Sequence, residues 1–199
     1  MQNKKTKNMV ILSLLIAIEA VLVITNWGFI IIPPVSITIL HIPVIVGAII
    51  MGPYYGSILG ASFGLLSLLN ATFRGASPVD LAFSPFTSGH PVKSIIMCMG
   101  CRILLGFMAG LLFQVFSKMF LKFDKHNLLS TILSAFIATF IHTASVMLCL
   151  WFLFPNLAIS FKAVIETILA FNFLIEAGAA IVFSIGISKV IPILKKSAS

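Results

Sequence analysis

Arg102 lies in the middle third of an apolar run, residues 92–116, among Met, Cys, Ile and Leu. A guanidinium in hydrocarbon is costly, so it must be paired or set in a polar cavity. Its planar fork matches a carboxylate through two parallel hydrogen bonds. Glu19 and Glu176 are the candidate internal partners, and an anionic ligand is the alternative. His142 and Thr139 in a later apolar run, and Asn172 in the last, are neutral hydrogen-bonding groups at similar depth. Taken singly, each is ordinary glue between membrane helices. Together with Arg102 they describe a cavity with one cation, several neutral donors and acceptors, and apolar walls. Such a cavity suits a small organic acid that carries hydroxyl or amide groups.

Other chemistries find little support. The chain has no HExxH, no GxSxG, no GxxxxGK[ST] and no pair of carboxylates at useful spacing. His41, His90, His126 and His142 are scattered and are not spaced as metal ligands. Cys98 and Cys101 form a CxxC inside an apolar helical run with no βαβ pattern nearby, so with Cys149 they read as core thiols. An intramembrane enzyme would need a reactive pair, and only His142 with Glu176 or Cys149 offers one. No catalytic residue, metal or cofactor is therefore expected.

The positioning elements follow from composition. Of 199 residues, 60% are hydrophobic and only 9% charged, where a soluble domain carries roughly a quarter charged. The mean hydropathy is +1.16. This is the composition of an all-α integral membrane protein whose surroundings are the lipid bilayer. The net charge of +8 does not mark a nucleic-acid partner, because the bases sit at the ends of apolar runs. Six transmembrane helices are expected, over residues 9–25, 41–51, 54–70, 92–116, 128–151 and 162–191, within a single domain, residues 1–199. The first run resembles a signal peptide but is long and lacks a clear cleavage site, so it reads as a retained helix after a basic tail, residues 1–8. Lys4, Lys5, Lys7, Lys118, Lys122, Lys125, Lys189, Lys195 and Lys196 fall on one side, against Arg74, Lys93 and Lys162 on the other. That asymmetry puts both termini in the cytoplasm and the loops 26–40 and 71–91 outside.

Within this frame several stretches are distinctive. Gly52, Gly56, Gly60 and Gly64 recur at every fourth position and share one helix face. Ser13 and Ala17 form a small-xxx-small pair on the first helix, where Glu19 either bridges to a polar partner or sits near the interface. The 26–40 loop is broken by Pro33 and Pro34 and is apolar enough to fold down as a lid. Its Ser36–Ile39 stretch alternates like a strand. The 71–91 loop, with Arg74, Asp80 and His90, is long and polar, as functional loops are.

These features resemble the substrate-binding S component of an energy-coupling factor (ECF) vitamin transporter. The resemblance rests on Ile42-Pro43 with a short second helix and on Gly52-Pro53-x-x-Gly56-x-x-x-Gly60-x-x-x-Gly64-Leu65. It also rests on Arg102-Ile103-Leu104-x-Gly106 and Asn172-x-x-x-Glu176. Residues 39–47, 64–70 and Phe83-Ser84-Pro85-Phe86 look most like the pantothenate-type members. The chemistry agrees: pantothenate has one carboxylate for Arg102, and hydroxyls and an amide for His142, Asn172, Thr139 or Asn70. The resemblance implies no ATPase in this chain. Ser13 and Ala17, a serine-led version of the family's AxxxA face, would dock on a transmembrane coupling subunit that carries two cytosolic ATPases. The whole subunit would then topple inward, its glycine and alanine faces sliding past that partner. Thiamin, a cation, would be repelled by Arg102, and a flavin or pterin would call for more stacking aromatics. The alternatives are an S component for biotin, riboflavin or folate, or a non-transport membrane protein with a structural or assembly role.

Overall fold

The computed structural model describes residues 2–32, 35–75, 78–121, 124, 127–157, 162, 166, 177–182 and 186. Most of the expected 162–191 helix lies outside the described residues, Asn172 and Glu176 included. In chain order the elements are α1 (Gln2–Ile24), β1 (Phe29–Ile32), β2 (Val35–Thr38), α2 (His41–Met51), α3 (Pro53–Arg74), α4 (Pro78–Ala82), α5 (Pro91–Met119) and α6 (Leu128–Leu153). Residues 177–182 are helical as well. Among the described residues, four helical segments are long and apolar enough to cross a membrane: Lys5–Ile24, Pro53–Arg74, Pro91–Met119 and Leu128–Leu153. The fold is that of a helical membrane protein with one small hairpin.

Helix α1 starts at Gln2, seven residues before the apolar run at Met9, because lysine is a good helix former and nothing in the tail breaks the helix. The alternation near Ser36 does form a strand: β1 and β2 pair antiparallel, with Phe29 opposite Thr38 and Ile32 opposite Val35. Helix α2 has only 11 residues and is covered by protein, with Leu40, Val44 and Ala48 fully buried. It ends at Gly52, whose φ of 95° suits glycine alone, and Pro53 opens α3 at the position proline tolerates best.

The glycine ladder is the seam between α3 and α5. A Cβ on Gly56 would run into the carbonyl oxygen of Gly106, and one on Gly60 into that of Arg102. At Gly64 it would meet Cys98 O at 3.0 Å, and at Gly110 it would meet Pro53 N at 2.6 Å. The two helices therefore run antiparallel with their backbones in contact, as small residues permit. This corrects one expectation. The glycine face is consumed inside the fold and is not free to slide past another protein.

Two cations close the hairpin end of the bundle. Arg74 Nη1 donates to the carbonyls of Val23 and Ile24 at 3.0 and 3.1 Å, at the C-terminus of α1. Lys93 Nζ donates to Leu153 O at 3.2 Å, at the C-terminus of α6. Each satisfies an end carbonyl and complements the helix dipole. The main core gathers Leu40, Ile45, Leu59, Phe63, Leu105 and Ala135. A second cluster, Ala82, Met97, Met147, Leu150 and Phe154, lies beneath the 78–90 segment.

Candidate functional site

Arg102 is 5% exposed. Its Nη1 donates to Cys98 O, one turn back, at 2.9 Å. Its guanidinium carbon lies 4.8 Å from the ring centre of Phe63 on α3 and 5.2 Å from that of Phe83, which follows α4. Such aromatic contact favours the cation. Arg102 makes no ion pair among the described residues, and its Nε has no hydrogen-bond acceptor there. The turn before it, Ile96–Gly100, is a π-helix, an irregularity that recurs at functional sites and one that apolar periodicity does not reveal.

Glu19 does not neutralise Arg102. It is fully buried on the Leu15–Glu19–Val23 stripe of α1, where Oε2 accepts a hydrogen bond from Ser62 Oγ. Its Oε1 has no partner among the described residues. The expectation of a polar partner for Glu19 is met by a serine hydroxyl.

The structure brings His142 to Arg102. The imidazole is buried on α6, tilted against Phe63 at 6.0 Å between ring centres, with Nδ1 3.4 Å from Cys101 O. Phe63 is thus a shared neighbour of the arginine and the histidine. Thr139 is fully buried one turn along α6, but its hydroxyl donates to Ala135 O at 2.8 Å. That bond is the ordinary intrahelical one. Asn70, on α3, keeps a buried Oδ1 with no partner among the described residues. Asn172 lies outside the described residues. Ser13 and Ala17 are exposed on α1, in line with Val10, Leu14 and Val21.

Three residues join this set that sequence reasoning missed: Phe63, Ser67 and Phe83. Ser67 shares a face with Phe63 and Asn70 by its i+4 and i+7 spacing, a signal already present in the chain. Phe83 reaches the site only because its loop is anchored. Ser84 Oγ is 2.9 Å from Thr72 Oγ1 and accepts from the backbone N–H of Phe86 and Thr87. Ser94 Oγ donates to Ala82 O at 2.6 Å.

A cavity of about 260 Å³ opens at the hairpin end, between Thr87, Ser88, His90, Lys93, Leu153 and Phe154. None of Arg102, Asn70 and His142 lines it. Ala82 and Phe154 in its wall belong to the second apolar cluster, against which Phe83 packs. The buried polar groups around Arg102 therefore stand apart from this open hollow.

The family described as "ECF transporter, substrate-specific component" matches residues 7–191. The pantothenic acid transporter PanT of Lactococcus lactis subsp. cremoris is 31% identical over 210 aligned residues, covering 99% of this chain and 98% of that protein. The pantothenate transporter PanT of Leuconostoc mesenteroides subsp. mesenteroides is 33% identical over 120 residues, covering 57% of this chain and 54% of that one. A match over nearly the whole chain, on a protein with four helices apolar enough to span a membrane, fixes both location and class. This is a multi-pass cell-membrane protein, and it belongs to the substrate-specific component family of ECF transporters.

Proposed function

We propose that this chain captures pantothenate from outside the cell for import. The observation that carries the reading is Arg102: a buried guanidinium flanked by two aromatic rings, with an unmet Nε–H and no ion pair among the described residues. Leaving a buried donor unmet is costly, and a ligand carboxylate laid against that edge removes the cost. Pantothenate offers one carboxylate at one end of an amide chain with two hydroxyls. Asn70 and His142 supply hydrogen-bonding groups, with Thr139 and Asn172 completing the set. That the two relatives are pantothenate transporters supports the choice of vitamin.

The rest of the reading concerns topology and partners. Residues 1–199 form one membrane domain of six spans. The bases at the start of α1 and the end of α5 put both termini in the cytoplasm, with 26–40 and 71–91 outside. The exposed Ser13–Ala17 face of α1 docks on the coupling subunit, and two cytosolic ATPases supply the energy. Toppling of the docked subunit carries the vitamin inward. This chain performs no catalysis itself.

The test is calorimetric titration of the purified chain in detergent with pantothenate, biotin and riboflavin. One-to-one binding of pantothenate that is lost in Arg102→Gln supports the reading. Binding of biotin or riboflavin in its place keeps the transporter role and changes the vitamin. Silence with all three, on folded protein, overturns it in favour of a structural role.

A further inference from the structure

Ser67 departs from a pattern that most helical hydroxyls among the described residues follow; the others outside it, such as Ser94 and Ser130, bond a partner elsewhere instead. On an apolar helix a serine or threonine ordinarily returns its proton to the carbonyl one turn back. Ser57 donates to Pro53 O at 3.0 Å, Thr72 to Leu68 O at 2.8 Å, and Thr131 to Asn127 O at 2.6 Å. Thr139 and Ser145 do the same at 2.8 and 2.6 Å. Ser67 is 4% exposed, and its Oγ has no hydrogen-bond partner among the described residues. The next polar atom on that face, Asn70 Oδ1, is buried and unmet too.

Phe63, Ser67 and Asn70 line up along one side of α3. At the rise of an α-helix, Ser67 stands roughly 6 Å beyond Phe63 along the axis and Asn70 roughly 10 Å beyond it. Both lie toward the hairpin end, where α3 finishes at Arg74. The guanidinium of Arg102 sits over Phe63 at the foot of this line. Ordered by height along α3, the unmet groups are thus a cationic N–H beside Phe63, a hydroxyl and an amide oxygen. An amide oxygen only accepts, so the group opposite Asn70 Oδ1 must be a donor, whereas Ser67 can give or take.

We propose that Ser67 is a specificity-determining residue, whose hydroxyl bonds a mid-chain amide or hydroxyl of an elongated organic acid. The acid's carboxylate lies at Arg102 and its far hydroxyl donates to Asn70. The inference rests on the reading of Arg102 as the carboxylate site. Pantothenate presents a carboxylate, an amide and a terminal hydroxyl in that order. An acid of the same charge without mid-chain polar groups would leave Ser67 unmet and is disfavoured.

The experiment pairs two measurements on the full chain in detergent: thermal unfolding of the empty protein, and calorimetric titration with pantothenate. In Ser67→Ala the empty protein melts at the same or a higher temperature, because an unmet buried hydroxyl is gone. Its pantothenate affinity falls about three- to ten-fold, the worth of one neutral hydrogen bond. Ser67→Cys, which keeps the size and a weaker donor, shows a smaller loss and decides the matter if Ser67→Ala does not fold. Wild-type affinity in both Ser67 variants, alongside lost binding in Arg102→Gln, overturns this proposal and leaves the carboxylate site standing. A melting temperature that falls in step with affinity assigns Ser67 a structural role and also overturns it. Wild-type binding in Arg102→Gln removes the carboxylate reading, and this proposal with it.

Discussion

Gly60 rests on the main chain of Arg102: a methyl group added at Gly60 would run into the Arg102 carbonyl oxygen, with Cα of Ile103 3.0 Å away. The glycine ladder therefore does more than join two helices. It sets the height at which the guanidinium enters the bundle. Gly60→Ala must push α3 and α5 apart and is expected to cost about 1–3 kcal/mol, read as a lower melting temperature with weakened ligand binding. Gly100→Ala is the control, because its added methyl meets nothing within 4 Å among the described residues. That variant is expected to melt at or slightly above the wild-type temperature, by up to about 1 kcal/mol of helix propensity.

Arg102 and Phe83 are expected to separate charge from shape. Arg102→Lys keeps the charge but loses the flat fork that serves Cys98 O with one nitrogen while its Nε stays unmet among the described residues. Its pantothenate affinity is expected to fall at least about ten-fold, since each charge-assisted bond is worth about 1.5–3 kcal/mol. Phe83→Leu keeps the apolar cover but removes one of the two rings on the guanidinium, a loss of about 0.5–2 kcal/mol. Titration calorimetry should place Phe83→Leu between wild type and Arg102→Lys. Equal affinity in all three proteins would remove Arg102 from the site.

Much of this was legible in the chain, and the misses have physical causes. Apolar runs, the Gly52-Pro53 turn and the short buried α2 are local signals, and they give the long described helices and α2 to within a few residues except at the start of α1, whereas the one-turn α4 lies inside the stretch 71–91 that reads as a loop. Arg102 was legible because charge in hydrocarbon demands an explanation. Its surroundings were not. Phe83 arrives through Ser84 and Ser94, whose partners Thr72 and Ala82 lie 12 residues away, and no periodicity encodes such loop anchoring. The role of the glycines was half legible: their spacing predicts close packing, but only the structure identifies α5 as the partner. Charge alone leaves Glu19 either an interfacial position or any polar partner, and the group it meets, Ser62, lies 43 residues away.

The Glu19–Ser62 contact predicts a sign reversal. Ser62→Ala leaves both Glu19 carboxyl oxygens without a described partner, and an unmet buried acceptor costs about 1–3 kcal/mol. Replacing both members together, with Glu19→Met and Ser62→Ala, removes the polar atoms along with their need for partners. The double variant should melt higher than Ser62→Ala alone and close to wild type. A double-variant cycle by differential scanning fluorimetry in one detergent reads the coupling directly. Additive losses would show that the two side chains act independently.

Asp124 gives the expected pH dependence outside the membrane. Its carboxylate accepts from Leu128 N at 2.7 Å, and from Ser130 N and Ser130 Oγ at 2.8 Å each, so it caps the first turn of α6. Partial burial pushes its pKa up, but these hydrogen bonds outweigh it and hold the group below its ordinary value of 3.8. A depressed folded pKa means stability that is fully present above 3.8 and fades as pH falls through the lower folded value. From neutral pH down to about pH 5 the contribution of Asp124 should be constant. Below that range the wild type should lose its advantage over Asp124→Ala, which lacks the cap at every pH and starts about 1 kcal/mol less stable. Melting curves of both proteins from pH 7 down to about pH 3 should therefore converge as the carboxylate protonates. Parallel curves over that range would mean that the charge on Asp124 contributes nothing to the start of α6.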